Sequence, residues 1–220
     1  MVCASLSAPT CVELARKARR ALASGTDLVE FRLDFLREPS AHEVVKELSS
    51  FAGRGVFTFR RADEGGAFDG EESERQAVIR RVAVIQPAYF DIELRTLEAS
   101  PVLARSKLGE NTIVSWHDPY GTPSAARLRS LRATALSYGG LAKIVPYANS
   151  AEDNLAVLSL YDEPGPIPVA FCMGSAGLFS RVMAIECGTP LVYVSLDGEV
   201  TAKGQLPLGL ALAIRRRFGF

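Results

Sequence analysis

Eight short runs of apolar, β-forming residues recur about every 27 residues along this 220-residue chain, and that rhythm limits the folds open to it. They span 2–6, 28–31, 56–60, 89–92, 112–116, 141–145, 167–173 and 191–195. None alternates apolar with polar residues throughout, which fits strands of a parallel sheet covered by helices. A helical stretch follows each run: 10–23, 40–48, 71–85, 96–107, 122–135, 151–160, 178–186 and 206–218. Thr10 with Glu13, and Ser40 with Glu43, read as capping boxes. The stretch 96–107 is the least regular because Pro101 lies inside it. Gly25, Gly109, Gly139, Gly140 and Gly188 stand where helices would stop. Eight strand–helix units predict an α/β fold, a single (β/α)8 TIM barrel forming one catalytic domain over 1–220. No composition break divides the chain. A doubly wound open sheet is the alternative, but no GxGxxG follows the first run.

Charge excludes several function classes. Lys and Arg number 25, as do Asp and Glu, so there is no global electrostatic case for nucleic acid or an anionic membrane. No apolar run approaches the roughly 18 residues of a membrane span. The first residues, MVCASLSAPT, place no basic segment before an apolar one, so no signal peptide is expected and the expected location is cytoplasmic. Cys3, Cys11, Cys172 and Cys187 form no CxxC pair and have no nearby His, so they read as buried, reduced thiols and not as a metal site.

Working residues of such a barrel sit at the C-terminal ends of its strands. Lys143, between Leu141-Ala142 and Ile144-Val145, is a lysine inside a strand of a chain with 20 Arg and only 5 Lys. A buried amine can become neutral and attack a carbonyl to form a Schiff base; the equal alternative is a lysine paired with a carboxylate or reaching to the barrel mouth. His117 ends the neighbouring strand and can move protons, or can simply bond Asp118. His42 reads as a surface residue. Glu30, Arg32, Arg60 and Glu64 suit a hydroxylated or anionic ligand, although Arg32 and Asp34 alone would make an ordinary rim ion pair. Arg181 opens a helix in GSAGLFSRV, where a carboxylate or a phosphate could dock. Asp91 and Glu93 point to one side of their strand. The segment 71–75 reads as a solvated helix start.

Taken together, VEFRLDFL (29–36), FTFRRADEGG (57–66), DIEL (91–94), SWHD (115–118), AKIVPYA (142–148), MGSAGLFSR (173–181) and TAKGQLPL (201–208) resemble the type I 3-dehydroquinate dehydratases. The seven segments run from the second strand to the last helix in the family's order, so the resemblance covers nearly the whole chain. The resemblance implies dehydration of the small molecule 3-dehydroquinate to 3-dehydroshikimate, in the shikimate pathway of aromatic amino acid biosynthesis. It implies Lys143 as the Schiff-base lysine, His117 as general acid/base, and Glu64 as the glutamate bonding that histidine. It implies Arg181 and Gln205 around the substrate carboxylate, Glu30, Arg32 and Arg60 around the ring hydroxyls, and Met173 lining the pocket. Thr201 stands where Ser is common. Trp116 and Lys203 depart from the family pattern. The chemistry requires no metal and no organic cofactor, and the resemblance implies a homodimer, with neither nucleic acid nor membrane as partner. A class I aldolase-like barrel would share the strand lysine but would usually bind phosphate after strands seven and eight. A silent binding barrel would have no need of Lys143, His117, Glu64 and Arg181 together.

Overall fold

In a computed structural model, residues 1–100, 109–196, 199, 201–202 and 204–218 are described. Strand and helix alternate along the chain: β1 Val2–Leu6, α1 Cys11–Ala23, β2 Leu28–Arg32, α2 Ala41–Leu48, β3 Gly55–Thr58, α3 Glu72–Val82, β4 Tyr89–Glu93 and α4 Leu94–Ala99. Then come β5 Thr112–His117, α5 Ala125–Ser137, β6 Leu141–Val145, α6 Asp153–Leu158, β7 Val169–Ala170, α7 Leu178–Glu186, β8 Val192–Ser195, β9 Leu206–Pro207 and α8 Leu208–Phe218. All ladders are parallel, in the order β7-β6-β5-β4-β3-β2-β1-β8-β9. This is the curled sheet of a TIM barrel. Among the described residues no ladder joins β7 to β8; at that seam the rings of Phe171 and Tyr193 meet with centroids 6.4 Å apart.

Strand side chains alternate between two environments, as a barrel requires. One set of alternate positions, including Cys3, Leu28, Val56, Ile113, Val169, Leu191 and Tyr193, packs as a cluster inside the sheet. The intervening positions, such as Val29, Phe31, Phe57, Val114 and Ile144, pack outward against the helices. Inward positions nearer the strand C-termini are polar: Glu30, Thr58, Asp91, Ser115 and Lys143 are all buried. The runs therefore alternate in chemistry only at their C-terminal halves, which is why no run alternates throughout.

The elements follow the rhythm of the sequence with local differences. Thr10 caps α1 by accepting from the Glu13 N–H at 3.3 Å. Ser40 makes no side-chain cap bond, so the second capping box does not form. The fifth helix starts later than expected because Ser124 caps it, accepting from the Arg127 N–H. The seventh run contributes only two ladder residues; its end, Met173, forms an isolated bridge with Tyr147. The expected helix 96–107 begins instead at Leu94 and is described to Ala99; residues 101–108 lie outside the described residues. Gly140 enters β6 at φ +76°, and a Cβ there would sit 2.0 Å from the Thr112 carbonyl oxygen, so only glycine fits. The four cysteines are free thiols. Among the described residues no helix is long and apolar enough to cross a membrane.

Candidate active site

The strand C-termini enclose a cavity of about 300 Å³. All ten candidate residues line it: Glu30, Arg32, Arg60, Glu64, His117, Lys143, Met173, Arg181, Thr201 and Gln205. Residues as far apart in sequence as Glu30 and Gln205 meet here because successive parallel strands deliver their ends to the same mouth.

Lys143 is central to β6. Its Nζ donates to Asp91 Oδ2 at 2.9 Å, lies 3.6 Å from Glu30 Oε1, and sits 4.0 Å from the Tyr193 ring centroid. The carboxylate pairing that the sequence left open is thus present, on a lysine that also borders the cavity. Burial alone would raise the Asp91 pKa, but Arg60 and Lys143 outweigh it and hold the group at about 2. Asp91 therefore stays ionised and anchors the lysine. Glu30 is held by hydroxyls: Ser5 Oγ donates at 2.5 Å and Thr58 Oγ1 at 2.8 Å.

His117 Nδ1 lies 3.2 Å from Glu64 Oε2, and the His117 backbone N–H donates to the same oxygen at 3.0 Å. The Asp118 pairing does not occur; Asp118 instead accepts from the Tyr120 and Gly121 N–H groups in the following turn. Burial pushes the His117 pKa well below 6.5, and Arg60 and Lys143 push it the same way. Burial pushes Glu64 up to about 8, against the pull of Arg60 3.9 Å away and with the help of Glu93. Both shifts favour the neutral form of each partner, because neither charge is solvated. With Glu64 ionised, Nδ1–H is held and Nε2 is free for the cavity.

Arg60 organises the wall between them. Its Nη1 donates to Ser115 Oγ at 2.7 Å and Glu93 Oε1 at 3.1 Å, and its Nη2 to Asp91 Oδ1 at 2.8 Å. Burial alone would lower its pKa, but Asp91, Glu93 and Glu64 raise it above the ordinary arginine value, so it remains a cation. Ser115 Oγ in turn donates to Asp91 Oδ1 at 2.6 Å. Arg75 supports Glu93 from α3, with Nη1 donating to Glu93 Oε2 at 3.0 Å and Nη2 to Thr96 Oγ1 at 2.7 Å. The solvated reading of 71–75 thus fails at Arg75, which is 2% exposed. The signal was available: Arg75 precedes Val78, Ile79 and Val82 by three, four and seven residues, on the buried face of the helix.

Two arginines differ sharply. Arg32 is committed to Asp34 by two bonds of 2.8 and 2.7 Å, the rim pair anticipated as its alternative. Arg181 is buried in α7, stacks 4.1 Å from the Phe171 ring centroid, and has no carboxylate within ion-pair reach among the described residues. Burial lowers its pKa to about 10. Thr201 Oγ1 donates to Ser5 Oγ at 2.8 Å, and Gln205 Oε1 accepts from the Thr201 N–H at 3.0 Å, so both are folded onto their own loop and β1. Lys203 lies outside the described residues. Ser5, Phe171 and Tyr193 also line the cavity and carried no motif of their own in the sequence. Among the described residues, no group of three or more His, Cys, Asp or Glu is placed to hold a metal ion.

Known proteins share this sequence and architecture. A model of the type I 3-dehydroquinase family matches residues 2–215. A 3-dehydroquinate dehydratase of Pyrobaculum aerophilum is 40% identical over 87% of this chain, which spans 63% of that protein's length. One of Desulfotalea psychrophila is 33% identical over 99% of this chain and 97% of its own. The crystal structure of 3-dehydroquinate dehydratase from Geobacillus kaustophilus superposes with a TM-score of 0.83, covering all of this chain and 92% of the other at 24% identity, a likeness of fold. With the family model spanning nearly its full length, the chain belongs to the type I 3-dehydroquinase family.

Proposed function

We propose that this cavity dehydrates 3-dehydroquinate to 3-dehydroshikimate through an imine on Lys143, with His117 as the proton carrier and Glu64 as its orienting partner. Membership of the family, and relatives bearing the name 3-dehydroquinate dehydratase, make the chain a hydro-lyase of this type. The observation that carries the mechanism is the sharing of one cavity by a strand lysine, a histidine–carboxyl pair and an unpaired buried arginine.

The substrate is a β-hydroxy ketone, and the hydrogen beside its carbonyl is only weakly acidic. His117 takes a proton from Lys143 Nζ, the free amine adds to the carbonyl carbon, and the same proton is returned to the carbinolamine hydroxyl, which leaves as water to give a protonated imine. This iminium draws electrons from the adjacent carbon. Neutral His117 takes the proton there, leaving an enamine. The enamine expels the β-hydroxyl, which leaves as water with the proton His117 carries, and the conjugated iminium remains. Water then adds to that iminium and releases the enone and the lysine. Arg181 meets the carboxylate as a fork that no protein acid occupies. Thr201 and Gln205 stand beside it, Glu30, Arg32 and Arg60 face the ring hydroxyls, and Met173 supplies an apolar wall. The protein stands in aromatic amino acid biosynthesis, as a cytoplasmic, single-domain barrel that pairs as a homodimer.

A class I aldolase-like reading shares the lysine. The histidine–glutamate pair and a single unpaired arginine favour a carboxylated β-hydroxy ketone over a phosphorylated sugar. The test is trapping: incubation with 3-dehydroquinate, borohydride reduction, and mass mapping of the modified peptide. An adduct on Lys143 is expected. A folded, unmodified protein beside a working positive control would remove the imine, and labelling by phosphorylated sugars alone would favour the aldolase.

A further inference from the structure

Behind Arg181, at the seam of the barrel, lies a second and much smaller cavity, about 10 Å³ in volume. It is lined by Arg181, Tyr193, Phe171, Thr189, Leu206 and neighbouring aliphatic residues of α7 and β8. Two of its lining residues each carry a buried polar atom without a hydrogen-bond partner among the described residues: Arg181 at Nε and Tyr193 at its hydroxyl. The other walls do not satisfy them. Most are hydrocarbon, and the Thr189 hydroxyl already donates to the Leu191 carbonyl at 3.3 Å. Buried polar atoms left unpaired are costly, and a polar cavity of roughly 10–15 Å³ holds one water.

We propose that Tyr193 is a positioning residue whose hydroxyl, through a single water in this cavity, holds the Arg181 guanidinium toward the main pocket. The donor count agrees. Arg181 Nε–H can only donate, a water oxygen accepts it, and the phenol can accept from or donate to that water. Stacking on Phe171 keeps the guanidinium in a plane, but a ring face does not fix its rotation within that plane. A hydrogen bond at Nε does. Burial, reinforced by Glu30, pushes the Tyr193 pKa well above its ordinary value, so the group stays a neutral phenol. The same ring lies 4.0 Å from Lys143 Nζ, so one side chain touches both the amine and the anchor of the anion site.

This inference rests on the reading that Arg181 binds the substrate carboxylate, and its test separates the two. Tyr193→Phe keeps the ring and removes only the hydroxyl. The expected result is a KM for 3-dehydroquinate about three- to tenfold higher, with little change in kcat and full borohydride labelling of Lys143 at saturation. In an Arg181→Met background the same substitution should raise KM no further, because its effect runs through the arginine. An unchanged KM, or an effect that persists undiminished without Arg181, overturns the inference while leaving the parent's imine chemistry intact. A crystal structure of the parent adds an independent check: a water within hydrogen-bond reach of both atoms supports the proposal, and a dry cavity overturns it.

Discussion

The two sides of the cavity are held in opposite ways. From β3 to β5, Arg60, Asp91, Glu93, Ser115 and Arg75 satisfy one another in a continuous buried network that extends to Lys143. Across the seam at β7 and β8, Arg181 and Tyr193 carry buried polar atoms with no partner among the described residues. A satisfied network rigidifies what it surrounds, and a buried cation without a counterion is costly to keep. Under the proposed function the difference is a division of labour: the protein itself fixes the surroundings of Lys143, whereas the cation assigned to the substrate carboxylate is left for the substrate to complete.

Substitutions on each side should therefore fail in different ways. The largest loss is expected at His117→Gln, which removes the proton carrier: kcat should fall about 10²–10⁴-fold in steady-state assays with KM little changed. A comparable fall in KM and kcat alike would argue against a role confined to the chemical step. Arg60→Met should destabilise the fold by about 3–5 kcal/mol in denaturant titrations, because Asp91 and Glu93 lose their shared cation. Arg181→Met should do the reverse, leaving stability equal or higher while raising KM about 10- to 150-fold, the value of a charged hydrogen-bonding group. If both arginines proved equally important to stability, the contrast between the walls would be lost.

The smallest effect is on pH dependence. In the proposed mechanism the base is neutral imidazole, and protonation removes it. Because burial and the neighbouring cations depress the His117 pKa, kcat should be lost only as pH falls well below 6.5. Glu64 loses its proton through about 8, and its carboxylate then holds Nδ1–H and strengthens Nε2 as a base, so kcat should climb across that range. Glu64→Gln should flatten the climb, and an unchanged climb in that variant would assign the titration to another group.

Much of this was legible in the chain. The barrel follows from eight apolar runs with helices between them, and the cavity from polar residues at the run ends, since parallel strands bring those ends together. Pairing was less legible, because it depends on side-chain reach across elements. Arg75 looked solvated amid EESER, yet it reaches from a helix between strands to Glu93. Asp118 looked like the partner of His117, but turn geometry directs it to backbone N–H groups. Ser40 had the right spacing for a capping box and makes no cap bond, so spacing alone did not secure the local geometry. Tyr193 belongs to an apolar run and carries no motif; only the packed seam shows its hydroxyl buried and the residue sharing a small cavity with Arg181.

The central claim, that Lys143 reacts from the networked wall while Arg181 across the seam binds the carboxylate, is tested most directly by the concentration dependence of borohydride trapping in Arg181→Met beside the parent. The account predicts that the 3-dehydroquinate concentration giving half-maximal labelling of Lys143 rises at least about tenfold while the final extent of labelling is unchanged. A lower final extent with an unchanged half-maximal concentration would contradict it, because Arg181 would then act in the chemistry and not in binding.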